Sequence, residues 1–166
     1  MLALILIITG LIFRFIPHTA NFSPVLAIAL FGGVYLNKKY ALLMPLILMI
    51  ISDMLLGTHN TMFFTWISVL AISSLGIFIR EKKNTSNIAL SSFASAVLFY
   101  IITNLGVWLM GWYPMTLNGL TTCFTMAIPF FRTSLISTLV FSFVLFGIYE
   151  VIARKIKDTP LAKVLL

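Results

Sequence analysis

Six apolar runs follow one another along this chain with only short polar breaks between them, and that succession constrains the fold more than any motif does. The runs cover 2–16, 22–36, 40–56, 61–79, 88–110 and 130–152. A helix needs about 20 apolar residues to cross a hydrocarbon core about 30 Å thick. Backbone facing lipid must also satisfy its own hydrogen bonds, which favours helices. The sequence is therefore read as an all-α integral membrane protein, a six-transmembrane-helix bundle with one membrane domain over residues 1–166. Composition supports this: 61% of residues are hydrophobic and 9% charged, against roughly 45–50% and 25% in soluble domains. Mean hydropathy is +1.11. Six spans leave no length for an attached ATPase, nucleotide-binding domain or receptor head, so energy or signal is expected from a partner chain or an ion gradient.

The breaks carry the chemistry of helix ends. Arg14 interrupts the first run, which closes at Pro17-His18. Leu2–Phe13 lacks a preceding basic region and a small-residue cleavage site, and is read as the first helix rather than a signal peptide. Ser23-Pro24 is placed as an N-cap and first-turn proline, and Asn37-Lys38-Lys39 separates the second run from the third. The third holds Pro45 and Asp53, and the fourth stops at Arg80-Glu81-Lys82-Lys83. Between the fifth and sixth runs, residues 111–129 are too polar and short to span, and a short interfacial helix is expected over 117–126 before the last span.

A net charge of +7 would suggest nucleic acid in a soluble protein, but here no nucleic-acid partner is expected, because basic residues flanking spans are topology signals. Lys38, Lys39, Arg80, Lys82, Lys83, Arg154, Lys155, Lys157 and Lys163 all fall on one side of a six-span arrangement. The positive-inside rule makes that side, with both termini, cytoplasmic. Only Arg14 and Arg132 remain on the outer side. A single cysteine, Cys123, excludes an internal disulfide.

The polar residues that topology sends outward are the candidate functional set: Arg14, His18, Asn21, Asp53, His59, Asn104, Trp108 and Arg132. An acid inside a span costs about 2.5–3.5 kcal/mol at mid-helix and faces a partner or a cavity. Asp53 therefore calls for Arg14 or Arg132, and its role divides between a helix-tethering ion pair and ligand contact or proton coupling. His18, His59 and Cys123 share the outer side, yet no HxxxH, HExxH or CxxC spacing marks a metal motif, so no metal and no cofactor is assigned. Asn104 either bonds to a neighbouring helix or lines a pocket. Trp108 and Trp112 sit at the depth of an aromatic belt or form a stacking wall. Ala29 with Gly33, and Ser91 with Ser95, permit close helix contact.

The strings RFIPH (14–18), NFSP (21–24), ALFGG (29–33), SD (52–53), TNLGVW (103–108) and AIPFFR (127–132) resemble a family of small bacterial membrane proteins of unassigned function. In size, helix number and outward polar loops that family is similar to the substrate-binding S components of energy-coupling factor vitamin transporters, nearest to the solitary cobalamin-specific type. The resemblance implies an S-component-like bundle in the bacterial cytoplasmic (inner) membrane. It also implies a pocket under the outer loops for a vitamin-sized ligand, and ECF-type transmembrane and ATPase subunits as partners. The cobalamin-specific type ligates cobalt through a cysteine near its third and fourth helices, where Met62–Trp66 has none, so cobalamin is one candidate among several.

The function expected is uptake of a small organic nutrient, a vitamin or its precursor, by a substrate-binding subunit or solitary transporter that is not an enzyme. A structural or accessory subunit of a larger membrane complex is the alternative, and a membrane enzyme with metal at His18, His59 or Cys123 a third class.

Overall fold

The computed structural model describes residues 1–16 and 19–165. All regular structure among them is helical: α1 (Leu2–Ile12), continued by a 3-10 turn at Phe13–Phe15, α2 (Val25–Tyr35), α3 (Lys38–Leu56), α4 (Met62–Ile79), continued by a 3-10 turn at Arg80–Lys82, α5 (Thr85–Leu109), α6 (Leu117–Met126), α7 (Ile128–Ile156) and α8 (Ala162–Leu165). The short helix expected before the last span is α6. Its N-cap Thr116 accepts a hydrogen bond from the Gly119 amide. Asn37 and Asn84 cap α3 and α5 in the same way, through the amides of Lys39 and Asn87.

Four helices are long and apolar enough to cross a membrane: Lys38–Leu56, Met62–Lys82, Thr85–Leu109 and Ile128–Ile156. The runs expected to supply two further spans form shorter apolar helices, Leu2–Phe15 and Val25–Tyr35. At 1.5 Å per residue the 11 residues of α2 extend only about 16 Å, well short of a bilayer core.

The short α2 does not need to match a bilayer because protein surrounds it. It packs against α1, α3, α4, α5 and α7, and every residue from Leu26 to Val34 is buried. A helix apolar on all sides is one that is enclosed. Its closest neighbour is α4. A Cβ added to Gly33 would lie 2.3 Å from the Ser73 carbonyl oxygen and 2.7 Å from the Gly76 Cα, and one added to Gly76 would lie 2.3 Å from the Leu30 carbonyl oxygen. Here two glycines let backbone touch backbone. The small pair Ala29 and Gly33 is thus spent inside the bundle.

The C-terminal end of α2 is closed by side chains from elsewhere. The Arg80 guanidinium donates to the Gly33 and Leu36 carbonyl oxygens, carbonyls that a helix end otherwise leaves orphaned. Tyr35 stacks on Tyr149, with ring centroids 3.9 Å apart, and donates its hydroxyl proton to Glu150. The core around Phe31, Leu30, Ile72 and Phe146 lies between this end and the middle of the bundle.

The N-terminal end of α2 is different. The helix starts one residue later than Ser23-Pro24 suggests, with Pro24 in the cap position and no side-chain cap. Asn21 adopts φ 62, a left-handed conformation that asparagine tolerates better than most residues. Ser137 of α7 donates to the Ser23 carbonyl oxygen at 3.2 Å, holding the entry loop against α7. Because α5 and α7 run on past this point with 25 and 29 residues, they wall a space that α2 does not fill.

Candidate functional site

That space is a cavity of about 470 Å³. Its base is the first turn of α2 and the loop before it, with Asn21, Ser23, Val25 and Leu26. The walls come from the facing ends of the long helices: Met49 and Leu56 of α3, Thr65 of α4, and Phe99, Tyr100, Thr103, Asn104 and Val107 of α5. Ala127, Phe130, Phe131 and Ser134 complete it from the start of α7, and His59 and Thr61 from the α3–α4 connection. The α5 contribution is one helical face, since residues three and four apart lie above one another.

Arg14 enters the cavity from the 3-10 turn that ends α1. Its guanidinium donates to Asp53 and to the Ser52 hydroxyl, and meets the Met49 sulfur at 2.9 Å. Asp53 is 2% exposed and Arg14 14%. The other carboxylate oxygen of Asp53 accepts from the Trp66 indole N–H at 2.7 Å. One buried acid therefore ties the end of α1 to α3 and α4. Both of its oxygens are engaged, so what reaches the cavity is the flank of a neutral ion pair rather than a free carboxylate. Of the two basic residues available to Asp53, the bundle uses Arg14.

The remaining polar lining is mostly neutral. Asn104 gives one amide N–H to the Tyr100 carbonyl oxygen one turn back, at 2.7 Å, keeping its second N–H and its Oδ1, and the Thr103 hydroxyl bonds likewise to Phe99. The Tyr100 hydroxyl donates to the Phe124 carbonyl oxygen, fastening α6 to α5. The Ser23 hydroxyl is buried without a hydrogen-bond partner, and such groups normally have one. His59 Nδ1 lies 3.0 Å from the Thr61 hydroxyl.

The outward set predicted from sequence divides by position. Arg14, Asn21, His59 and Asn104 line the cavity. Asp53 lies behind Arg14. Trp108 is half-buried beside the loop that follows α5, donating its indole N–H to the Pro114 carbonyl oxygen at 3.0 Å. Arg132 is exposed, with no hydrogen bond or ion pair among the described residues. His18 lies outside the described residues. Cys123 is buried in α6, its sulfur 3.5 Å from the Asn104 carbonyl oxygen, and burial pushes its thiol pKa up, which holds it in the less nucleophilic form. Among the described residues no three His, Cys, Asp or Glu side chains gather where they could hold a metal ion.

Sequence reasoning missed Trp66 and the aromatic walls. Nothing in one dimension separates Phe99, Tyr100, Phe130 and Phe131 from lipid-facing residues, although the i, i+3, i+4, i+7 spacing of Tyr100, Thr103, Asn104 and Val107 is a usable sign of a shared face.

A family model matches residues 1–161, nearly the whole chain. The chain belongs to DUF6580, a family of unknown function. No curated protein and no solved structure shows a significant match to it. For this DUF6580 chain the cavity geometry is therefore the ground on which a function can be argued.

Proposed function

We propose that the chain binds a small organic nutrient, a vitamin or vitamin precursor, in the cavity above α2 and hands it across the membrane. It would act as a solitary transporter or as the substrate-binding subunit of a larger transporter, and not as an enzyme. The observation that carries this reading is a cavity at one end of a membrane bundle that combines aromatic walls with convergent neutral hydrogen-bonding groups. Ligand sites have that make-up, and occupy about 300–1,000 Å³. The volume lies low in the range, which favours a small heterocyclic ligand over a corrinoid. With the Arg14–Asp53 pair neutral, such a ligand is read by hydrogen bonds from Asn104, Asn21 and the unpartnered Ser23 hydroxyl, and held by ring contact with Phe99 and Phe131. The likeness to S components fits this picture, and partner transmembrane and ATPase subunits would then supply the energy.

The basic end of the bundle is assigned to the cytoplasm of a bacterial inner membrane, so that the cavity faces outward. Cysteine placed at Lys82 in a Cys123→Ser background should label with an impermeant maleimide only after the cells are opened. Labelling from outside intact cells would reverse the orientation.

The binding reading is tested by extracting gently purified protein and identifying what co-purifies. The unaltered chain should carry a small organic molecule near one equivalent. Asn104→Leu should lose at least nine-tenths of it (an expected change of roughly ten-fold or more, or about 1.4 kcal/mol) and melt within a few degrees of the parent, because its visible hydrogen bond lies within its own helix. Trp108→Ala should retain the ligand. No co-purifying molecule from vitamin-supplemented cells, or loss of melting temperature in step with loss of ligand, would favour an accessory subunit whose polar residues lock the bundle.

A further inference from the structure

A second cavity, of about 430 Å³, lies between α4 and α5 near the basic end and shares no lining residue with the first. Leu75, Phe78 and Ile79 form one wall and Leu90 and Ala94 the other, while Lys82 and Asn87 stand at its polar end. Both helices are long and apolar enough to cross a membrane. Phe78 is 83% exposed and Leu90 67%, so the rims of the groove face the lipid side of the bundle. From Lys82 back to Leu75 the rise is about 10 Å at 1.5 Å per residue, the depth of the upper part of an acyl chain below its headgroup.

The charges at this end are unequally committed. Arg80 is spent on the carbonyls of α2. Lys83 lies 3.7 Å from Glu150 and 4.4 Å from the centre of the Tyr35 ring. Lys82 has no ion pair or side-chain hydrogen bond among the described residues, and its backbone carbonyl accepts from the Asn87 amide that borders the same groove. Glu81 is exposed and outside the lining. A free ammonium at the mouth of an apolar groove, in a region where basic residues outnumber acids, complements a molecule with a negative head and a hydrocarbon tail.

We propose that this groove binds an anionic phospholipid of the adjacent leaflet. The phosphate sits on the Lys82 ammonium and one acyl chain lies along Leu75, Phe78 and Ala94. A zwitterionic lipid offers the same tail but brings a cation to a basic surface, so selection falls on the headgroup charge.

Native mass spectrometry of the full chain in detergent, with equal amounts of phosphatidylglycerol and phosphatidylcholine, tests the site. The unaltered chain should retain phosphatidylglycerol in preference. Lys82→Gln should reduce that preference roughly five-fold, the worth of one lysine near an anionic surface, and Lys157→Gln on the exposed tail should leave it unchanged. Ala94→Trp, which fills the groove, should lower retention of both lipids. Equal retention by the unaltered chain, an equal loss from Lys157→Gln and Lys82→Gln, or full phosphatidylglycerol retention by a folded Ala94→Trp protein would each overturn the assignment.

Discussion

Asp53→Asn is expected to destabilise the protein by about 3–5 kcal/mol, the usual cost of removing one partner from a buried ion pair. The size follows from what the carboxylate holds. It receives the Arg14 guanidinium on one oxygen and the Trp66 indole on the other while 2% exposed, and it links α1 to α3 and α4. Neutralising it leaves the Arg14 guanidinium, only 14% exposed, without a counter-charge, and its remaining partners Ser52 and Met49 are neutral. Arg14→Gln should cost a similar amount for the converse reason. The double variant should fall well short of the sum, by about 1–3 kcal/mol, as residues in one network do. Arg132→Gln combined with Asp53→Asn should be additive, because Arg132 is exposed and away from the pair. Unfolding of the purified protein in mild detergent, for the three single and two double variants, measures both cycles. Additivity of Arg14→Gln with Asp53→Asn would show that the pair contributes no coupling.

Gly33→Ala is expected to be comparably damaging, although it adds one methyl group. The new Cβ would lie 2.3 Å from the Ser73 carbonyl oxygen and 2.7 Å from the Gly76 Cα. Both obstacles are backbone and cannot rotate aside, so α2 and α4 must separate along the closest packing of the bundle. Overpacking typically costs about 1–3 kcal/mol where side chains can adjust, and this position belongs at or above the top of that range. Gly76→Ala meets the Leu30 carbonyl oxygen at 2.3 Å and should behave alike. Gly147→Ala is the control. Nothing lies within 4 Å of its added Cβ, and replacing glycine in a helix interior gains up to about 1 kcal/mol. Melting temperature and the yield of monodisperse protein should fall sharply for the first two and hold or rise for the third. A Gly33→Ala protein that melts with its parent would mean that α2 and α4 do not cross as closely as described.

Much of the secondary structure was legible because it is decided within a few residues. The apolar runs became helices, and α6 occupies the stretch 117–126 expected of it, since its cap at Thr116 lies one residue before the helix. Ser23 shows where local reading stops. Its type and its neighbour Pro24 suggested an N-cap, yet Ser137 engages the Ser23 carbonyl from α7, and the helix begins at Val25. Span length shows a second limit. Hydropathy counts apolar residues, and a helix sheathed by protein is as apolar as one facing lipid, so hydropathy did not reveal that α2 is an enclosed helix of 11 residues.

The sequence by itself determined that this chain is helical and suited to a membrane, that all its basic residues but Arg14 and Arg132 gather at one end, and that Asp53 requires a cation. Only the tertiary structure decided which cation, and where the cavity lies. Arg132 is two residues from the buried Ser134, about 200° around α7, so the rotation that buries Ser134, Ser137 and Thr138 turns Arg132 outward. The Gly33–Gly76 contact brings α2 close to α4 with its N-terminal end short of the ends of α5 and α7, and the unfilled length becomes the cavity. Helix rotation and axial offset are set by how distant side chains interlock, whereas propensity, capping and hydropathy are written into each segment alone.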